Sequence, residues 1–234
     1  MRERIFILAV AALLCGLAPS PAKAQSESHS TIASAASSSA GSSQTVDGIA
    51  ARIDDDILTE SEVRELGAFQ TLVDGQSKSR AELLRELEDQ WLVRGEAAAA
   101  TYPEPSTEDV NLAYSQLEKQ FASPAEFRQR CAAVGLSEAA VRRLLQQQLY
   151  LSRFLDFRFR PAAQVTDSQI EEYYKNEFVP QLQKSGQPVP ALDDVSDTIR
   201  EVLVQRAISD RATAWLDDTR GRLQIDVLTP EAKP

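Results

Sequence analysis

Apolar positions recur with a period of two at both ends of residues 49–228, and with the three-and-four spacing of helices in between. Ile49, Ala51 and Ile53 alternate with Ala50 and Arg52, as in a strand with one covered face. Asp54-Asp55-Asp56 supplies a turn, Ile57-Leu58 a short return strand, and Thr59 with Glu62 a capping box that opens a helix fading near Gly75. Leu223 to Leu228 alternates again and predicts a last strand that pairs with the first. Ile225→Pro is then expected to break the closure by removing a ladder hydrogen bond.

Seven helices are predicted between these strands. The second opens at Ser79 with Glu82 as capping partner, carries Leu83, Leu84, Leu87, Trp91 and Leu92, and is ended by Pro103 and Pro105. A third runs from Ser106 or Thr107 through Val110, Tyr114 and Leu117 to Phe121. Ser123-Pro124 begins a short fourth that Gly135 closes. Ser137 caps the longest middle helix, in which Val141, Leu144, Leu145, Leu149 and Leu151 lead to Phe154, Phe157 and Phe159 before Pro161. Thr166 with Gln169 opens a short helix through Tyr173 and Tyr174 toward Phe178, and Pro180, Pro188 and Pro190 predict an irregular stretch after it. The last helix spans about Asp193 to Arg220, with an apolar stripe of Val195, Ile199, Val202, Leu203, Ile208, Trp215 and Leu216 and with Gly221 as terminator.

The first 24 residues read differently. Arg2 and Arg4 precede the apolar run Ile5 to Ala18, and Ala22-Lys23-Ala24 followed by Gln25 is the small-residue pattern of a secretory cleavage site. The run is shorter than the roughly 20 apolar residues of a spanning helix, and Leu14 before Cys15 does not suit a lipoprotein box. Export and cleavage are therefore expected, with no stable membrane anchor afterwards. Residues 25–45 form a Ser/Ala/Gly tract with too little apolar surface to fold, so a disordered leader is predicted there. The formal charge is −10 and becomes −12 once Arg2, Arg4, Lys23 and Glu3 are removed, which argues against nucleic acid as a partner. Of two cysteines only Cys131 then remains, so no intramolecular disulfide is available in an oxidising compartment.

Several local patterns carry a family resemblance. Leu83-Leu84-Arg85-Glu86-Leu87-Glu88-Asp89-Gln90-Trp91-Leu92, then Ser106 to Phe121, Gly135-Leu136-Ser137 to Leu151, and Val165-Thr166-Asp167-Ser168-Gln169-Ile170-Glu171-Glu172-Tyr173-Tyr174 follow one another as in the SurA-type periplasmic chaperones of the parvulin foldase group. The resemblance covers Val46 to Leu228. It implies a mainly α fold, a SurA/trigger-factor-like helical core closed by a small β-element that joins the N-terminal and C-terminal strands. The organisation expected is a signal peptide (1–24), the leader (25–45), one chaperone domain (46–228) and a tail (229–234). That domain divides into a first part (46–178), a loop (179–191) and a closing helix and strand (192–228). In the family an isomerase domain of about 90 residues would follow Tyr174. Here the loop is too short for it, and the only histidine, His29, lies in the leader, so the resemblance implies a core without isomerase activity.

No other catalytic chemistry is evident. Serine or cysteine nucleophiles lack a histidine base, Cys131 lies on a helix among small apolar residues, and Asp193-Asp194 and Asp217-Asp218 read as solvated pairs. Asp54 to Asp56 lacks the ligand spacing of a calcium loop, and no Cys/His zinc pattern or phosphate-cradling glycine loop occurs. No catalytic, metal or cofactor residues are assigned. The expected function is that of an ATP-independent periplasmic holdase for unfolded envelope or outer-membrane proteins. The alternative is an adaptor or assembly subunit for one specific envelope partner, and a dimer stays open. Tyr150, Phe154, Phe157, Phe159, Tyr173 and Tyr174 are the candidate client-binding aromatics, offering large contact area at low entropic cost.

Overall fold

The computed structural model describes residues 47–228. The signal peptide with Ala22, Ala24 and Gln25, the leader and the tail 229–234 lie outside the described residues. Strand β1 (Ile49–Ile53) turns through Asp54 and Asp55 into β2 (Asp56–Thr59). Asp54 takes the left-handed conformation the turn needs, with φ of 49°. Strand β3 (Ile225–Val227) pairs antiparallel with the free edge of β1, giving the order β2-β1-β3. The closure expected from the two ends of the pattern is present, although β3 is shorter than Leu223 to Leu228.

One detail of β1 departs from simple alternation. The register with β2 shifts between Ile49 and Ala51, a bulge that turns Ala50 inward beside Ala51, and both are fully buried. The sheet's covered face packs on α1 (Glu60–Asp74) and α2 (Arg80–Ala99) through Ile53, Leu58, Val63, Leu66, Leu83 and Leu84. Gly67 allows α2 to approach α1 closely, since a Cβ there would lie 2.9 Å from the Ser77 Oγ and 3.1 Å from the Leu83 Cδ1.

The helix starts follow the capping residues. Thr59, Ser79, Ser106 and Thr166 each form reciprocal boxes with the residue three positions on, while Ser123 and Ser137 cap by side chain alone. Helices α3 (Thr107–Glu118), α4 (Pro124–Ala133) and the first half of α5 (Glu138–Phe159) enclose a second cluster around Phe127, Val141 and the end of α1. Phe121 falls beyond α3 but packs on Phe127, with ring centroids 5.0 Å apart. The second half of α5, the end of α2 and the C-terminal half of α8 (Leu192–Arg220) form a third cluster around Val93, Phe154, Ala212 and Leu216.

After α5 and a short 3₁₀ turn at Pro161, α6 (Asp167–Tyr173) lies against the N-terminal half of α8, with Ile170 and Ile199 buried. The stretch expected to be irregular from residue 179 is helical at first. A π-turn (Tyr174–Phe178) runs straight into α7 (Val179–Lys184), and the loop is confined to residues 185–191. Pro180 does not stop the chain because the widened turn, with the Val179 N–H on the Tyr174 carbonyl, relieves the crowding that proline creates in a regular helix. Arg206 of α8 holds the π-turn from outside through two 3.0 Å bonds to Glu177, and the Tyr174 hydroxyl donates to the Pro190 carbonyl at 2.7 Å. Gly221 ends α8 as expected, in an ordinary right-handed conformation with φ of −61°.

Arg220, the last residue of α8, fastens that helix to α2. It pairs with Asp89 and with Asp217, and its Nε lies 3.5 Å from the Glu88 carboxylate, close enough for charge attraction but without hydrogen-bond geometry. Burial pushes the Glu88 carboxyl up, against the pull of Arg220 and Arg85, and burial likewise lowers Arg220. For both partners desolvation outweighs attraction.

Candidate functional site

The six candidate aromatics do not form one surface. Tyr150 (7% exposed) and Phe154 (1%) are core residues, which corrects their assignment as client contacts. They share one stripe of α5 with Phe157, yet Phe157 is 63% exposed. The reason is the length of the covering element: α2 ends at Ala99, and Tyr102 just beyond it packs against Tyr150, Phe154 and Phe157 at 6.0, 5.5 and 5.3 Å, leaving the outer face of Phe157 bare. Phe159 packs on Trp215 of α8, and the Arg158 guanidinium lies over both rings. Tyr173 and Tyr174 are half-buried, the first under the Arg206 guanidinium and the second stacked on Phe178 at 5.9 Å. Only Phe157 offers a largely free face.

A cleft of about 730 Å³ lies elsewhere, between α1, α2 and α5. Three helix faces converge on it: Ser61, Glu65 and Ala68 of α1, Leu87, Gln90 and Arg94 of α2, and Arg143, Leu144 and Gln147 of α5. The spacing within each set is helical, so each helix turns one continuous stripe toward the gap. Leu58 of β2, Leu66, Leu87, Leu136 and Leu144 supply an apolar floor, and Val134 and Gly135 of the α4–α5 turn close one end. Glutamates 62 and 65, arginines 64, 94 and 143, and the two glutamines make the rim polar. The volume falls within the range of clefts that hold small ligands or a few residues of peptide.

The chain enters the fold at this rim. The Asp47 carboxylate accepts bonds from the Ser61 N–H and hydroxyl, and the Ser61 hydroxyl bond holds the Asp47 carboxyl below its usual range. Glu62 is committed to the α1 cap, accepting from the Thr59 N–H at 2.8 Å and from its hydroxyl at 2.9 Å. Glu65 is paired with Arg143. Sequence periodicity marks Leu87 and Leu144 as helix-face residues but carries no sign that the two faces meet around a gap. These elements are distant in the chain.

Several residues considered for chemistry are engaged in packing or ion pairs. Cys131 is buried and burial raises its thiol pKa, the opposite of an activated nucleophile. Asp217 pairs with Arg85 and Arg220, and Asp218 with Arg222. Asp54 accepts from the Gln224 N–H at 3.2 Å and Asp56 from the Trp91 indole at 2.9 Å, which ties the hairpin turn to β3 and α2. Among the described residues no group of three His, Cys, Asp or Glu converges as a metal site, and no helix is long and apolar enough to cross a membrane. No protein-family model matches the chain, and no curated protein matches it.

Proposed function

We propose that this chain is a SurA-like, ATP-independent holdase of the periplasm, without isomerase or other catalytic activity, that shelters apolar segments of unfolded exported polypeptides in the α1–α2–α5 cleft. The observation that carries the reading is the cleft itself: a leucine floor between three helices, open to solvent and rimmed by charged and amide side chains. Weak, reversible capture needs this combination. An apolar floor rewards removal of client side chains from water, while a wet polar rim keeps the bound backbone hydrated and the affinity modest.

Four further features support it. The helical core is closed by pairing the first and last strands, the arrangement the SurA resemblance implies. The place where that family inserts its isomerase is occupied by α7 and the connection 185–191. Arg2, Arg4, the apolar run and Ala22-Lys23-Ala24 favour export. Exposed Phe157 provides a second apolar contact point away from the cleft.

Light scattering from a denatured outer-membrane barrel protein, diluted into buffer with increasing amounts of this protein, tests the proposal. Suppression of aggregation near stoichiometric ratios, lost in a Leu144→Asp variant that places a charge on the cleft floor, is the expected result. Absence of suppression by protein that circular dichroism shows to be folded refutes the holdase reading and favours the adaptor alternative.

A further inference from the structure

The charges around the cleft are unequal in their commitments. Its two carboxylates are satisfied, Glu62 by the α1 cap and Glu65 by Arg143. Two of its three guanidinium groups are not. Arg94 of α2 has no hydrogen-bond or ion-pair partner among the described residues, and Arg64 of α1 donates only through its Nε, to the Glu60 carbonyl at 3.3 Å, while its charge also helps hold the Asp47 carboxyl down. A chain of formal charge −10 thus presents, over an apolar floor, two exposed arginines on the neighbouring helices α1 and α2 with free guanidinium donors.

Resting on the reading of this cleft as the client site, we propose that it selects extended apolar segments carrying acidic side chains, with the leucine floor taking the apolar residues and Arg64 and Arg94 taking the carboxylates. Guanidinium groups pair carboxylates in a forked geometry and tolerate partial desolvation better than ammonium groups. In an extended segment successive side chains point to opposite sides, so apolar residues reach the floor while their acidic neighbours turn to the rim. The stripe from Ser61 to Ala68 is about 10 Å long, enough for about three extended residues. A free C-terminal carboxylate is a poorer match. Such groups are usually held by unpaired backbone N–H groups, whereas the walls here are helix interiors whose amides are already bonded.

The same logic gives a specificity against basic segments, which would meet the unpaired Arg94 and find no acceptor in the free donors of Arg64. It also separates the client class from the chain's own composition. An acidic protein would repel acidic clients at long range, and the free guanidinium donors of Arg64 and Arg94 offer a local point of attraction.

Fluorescence anisotropy with short labelled peptides tests this. Four share alternating leucines: one with glutamate, one with glutamine and one with lysine at the intervening positions, each amidated, and a glutamine peptide with a free C-terminus. The glutamate peptide is expected to bind about tenfold tighter than the amidated glutamine peptide. That advantage should shrink to within about twofold in Arg94→Gln combined with Arg64→Gln, and should weaken as ionic strength rises from about 0.05 to about 0.5 M. Both arginines are exposed, so the double variant should keep its helical circular dichroism. Equal binding of the amidated glutamate and glutamine peptides overturns the inference while leaving the holdase reading intact. Equal binding of the free-carboxylate and glutamate peptides overturns it in favour of a terminal-carboxylate site, and glutamate-peptide binding that survives Leu144→Asp places the site elsewhere. Failure of all four peptides to bind removes the cleft from the holdase reading as well.

Discussion

Closure of the fold by β3 can be tested at the level of single backbone hydrogen bonds. In the β1–β3 pair the Leu228 N–H donates to the Ala50 carbonyl at 3.0 Å and the Asp54 N–H to the Gln224 carbonyl at 3.0 Å. With the register Arg52↔Asp226, those two bonds fix the phase of the antiparallel ladder. Hydrogen-bonded pairs alternate with non-bonded ones, so Arg52↔Asp226 is bonded and Ile53↔Ile225 and Ala51↔Val227 are not. The Ile225 N–H therefore points away from β1, to the open edge of the sheet, and Ile225→Pro removes no ladder bond, contrary to the expectation from sequence. Asp226→Pro removes one directly and displaces its reciprocal partner.

Two ladder bonds at about 1 kcal/mol each give a cost of about 2 kcal/mol for Asp226→Pro, rising toward about 3 if the Arg52 carbonyl is left partly unsatisfied. Ile225→Pro loses only part of the contact of a half-buried side chain, about 1 kcal/mol. Urea unfolding followed by circular dichroism separates these values: with a slope of about 2 kcal/mol/M, Asp226→Pro should lower the midpoint by about 1 M and Ile225→Pro by about half as much. An Ile225→Pro variant as destabilised as Asp226→Pro would refute the ladder phase.

Phe154→Ala should cost about 3 to 5 kcal/mol in the same assay, as for a buried core phenylalanine, whereas Phe157→Ala should stay within about 0.5 kcal/mol. Thr101 follows α2 in a left-handed conformation, φ 53°, with its N–H on the Ala98 carbonyl and the Tyr102 N–H on the Ala97 carbonyl, a helix end that favours glycine. Thr101→Gly should therefore raise stability by about 1 kcal/mol, and an unchanged urea midpoint would show that the conformation carries no strain. Because the Glu88 carboxyl titrates higher in the folded than in the unfolded chain, its protonated form favours folding. That contribution is complete below the unfolded pKa and is lost as pH rises through the folded one. Glu88→Gln should therefore gain stability relative to the parent between about pH 4 and neutrality, and urea midpoints of the pair that run parallel across that range would contradict it.

Much of this architecture is written locally in the chain. The capping residues Thr59, Ser79, Ser106, Ser123, Ser137 and Thr166 set where helices begin, because each supplies an oxygen to amides that have no partner inside the helix. The alternation at Ile49 to Ile53 and again near Ile225 marks both strands of the closing pair, since period two exposes one face whatever the surroundings. The turn at Asp54 is equally local.

What only the tertiary structure decides is which faces meet and where covering stops. Tyr150, Phe154 and Phe157 are equivalent by periodicity, and the end of α2 at Ala99 is what leaves Phe157 uncovered. Pro180 reads as a helix breaker until the π-turn before it makes room. The ladder phase that turns the Ile225 amide outward depends on segments 170 residues apart in the chain, and the bulge that buries Ala50 on the register β1 takes against β2. The cleft belongs to the same class. Its three walls come from separate helices, and whether leucines on three helix faces fill the space between them or leave a gap is a matter of distances between helices, which no local pattern encodes.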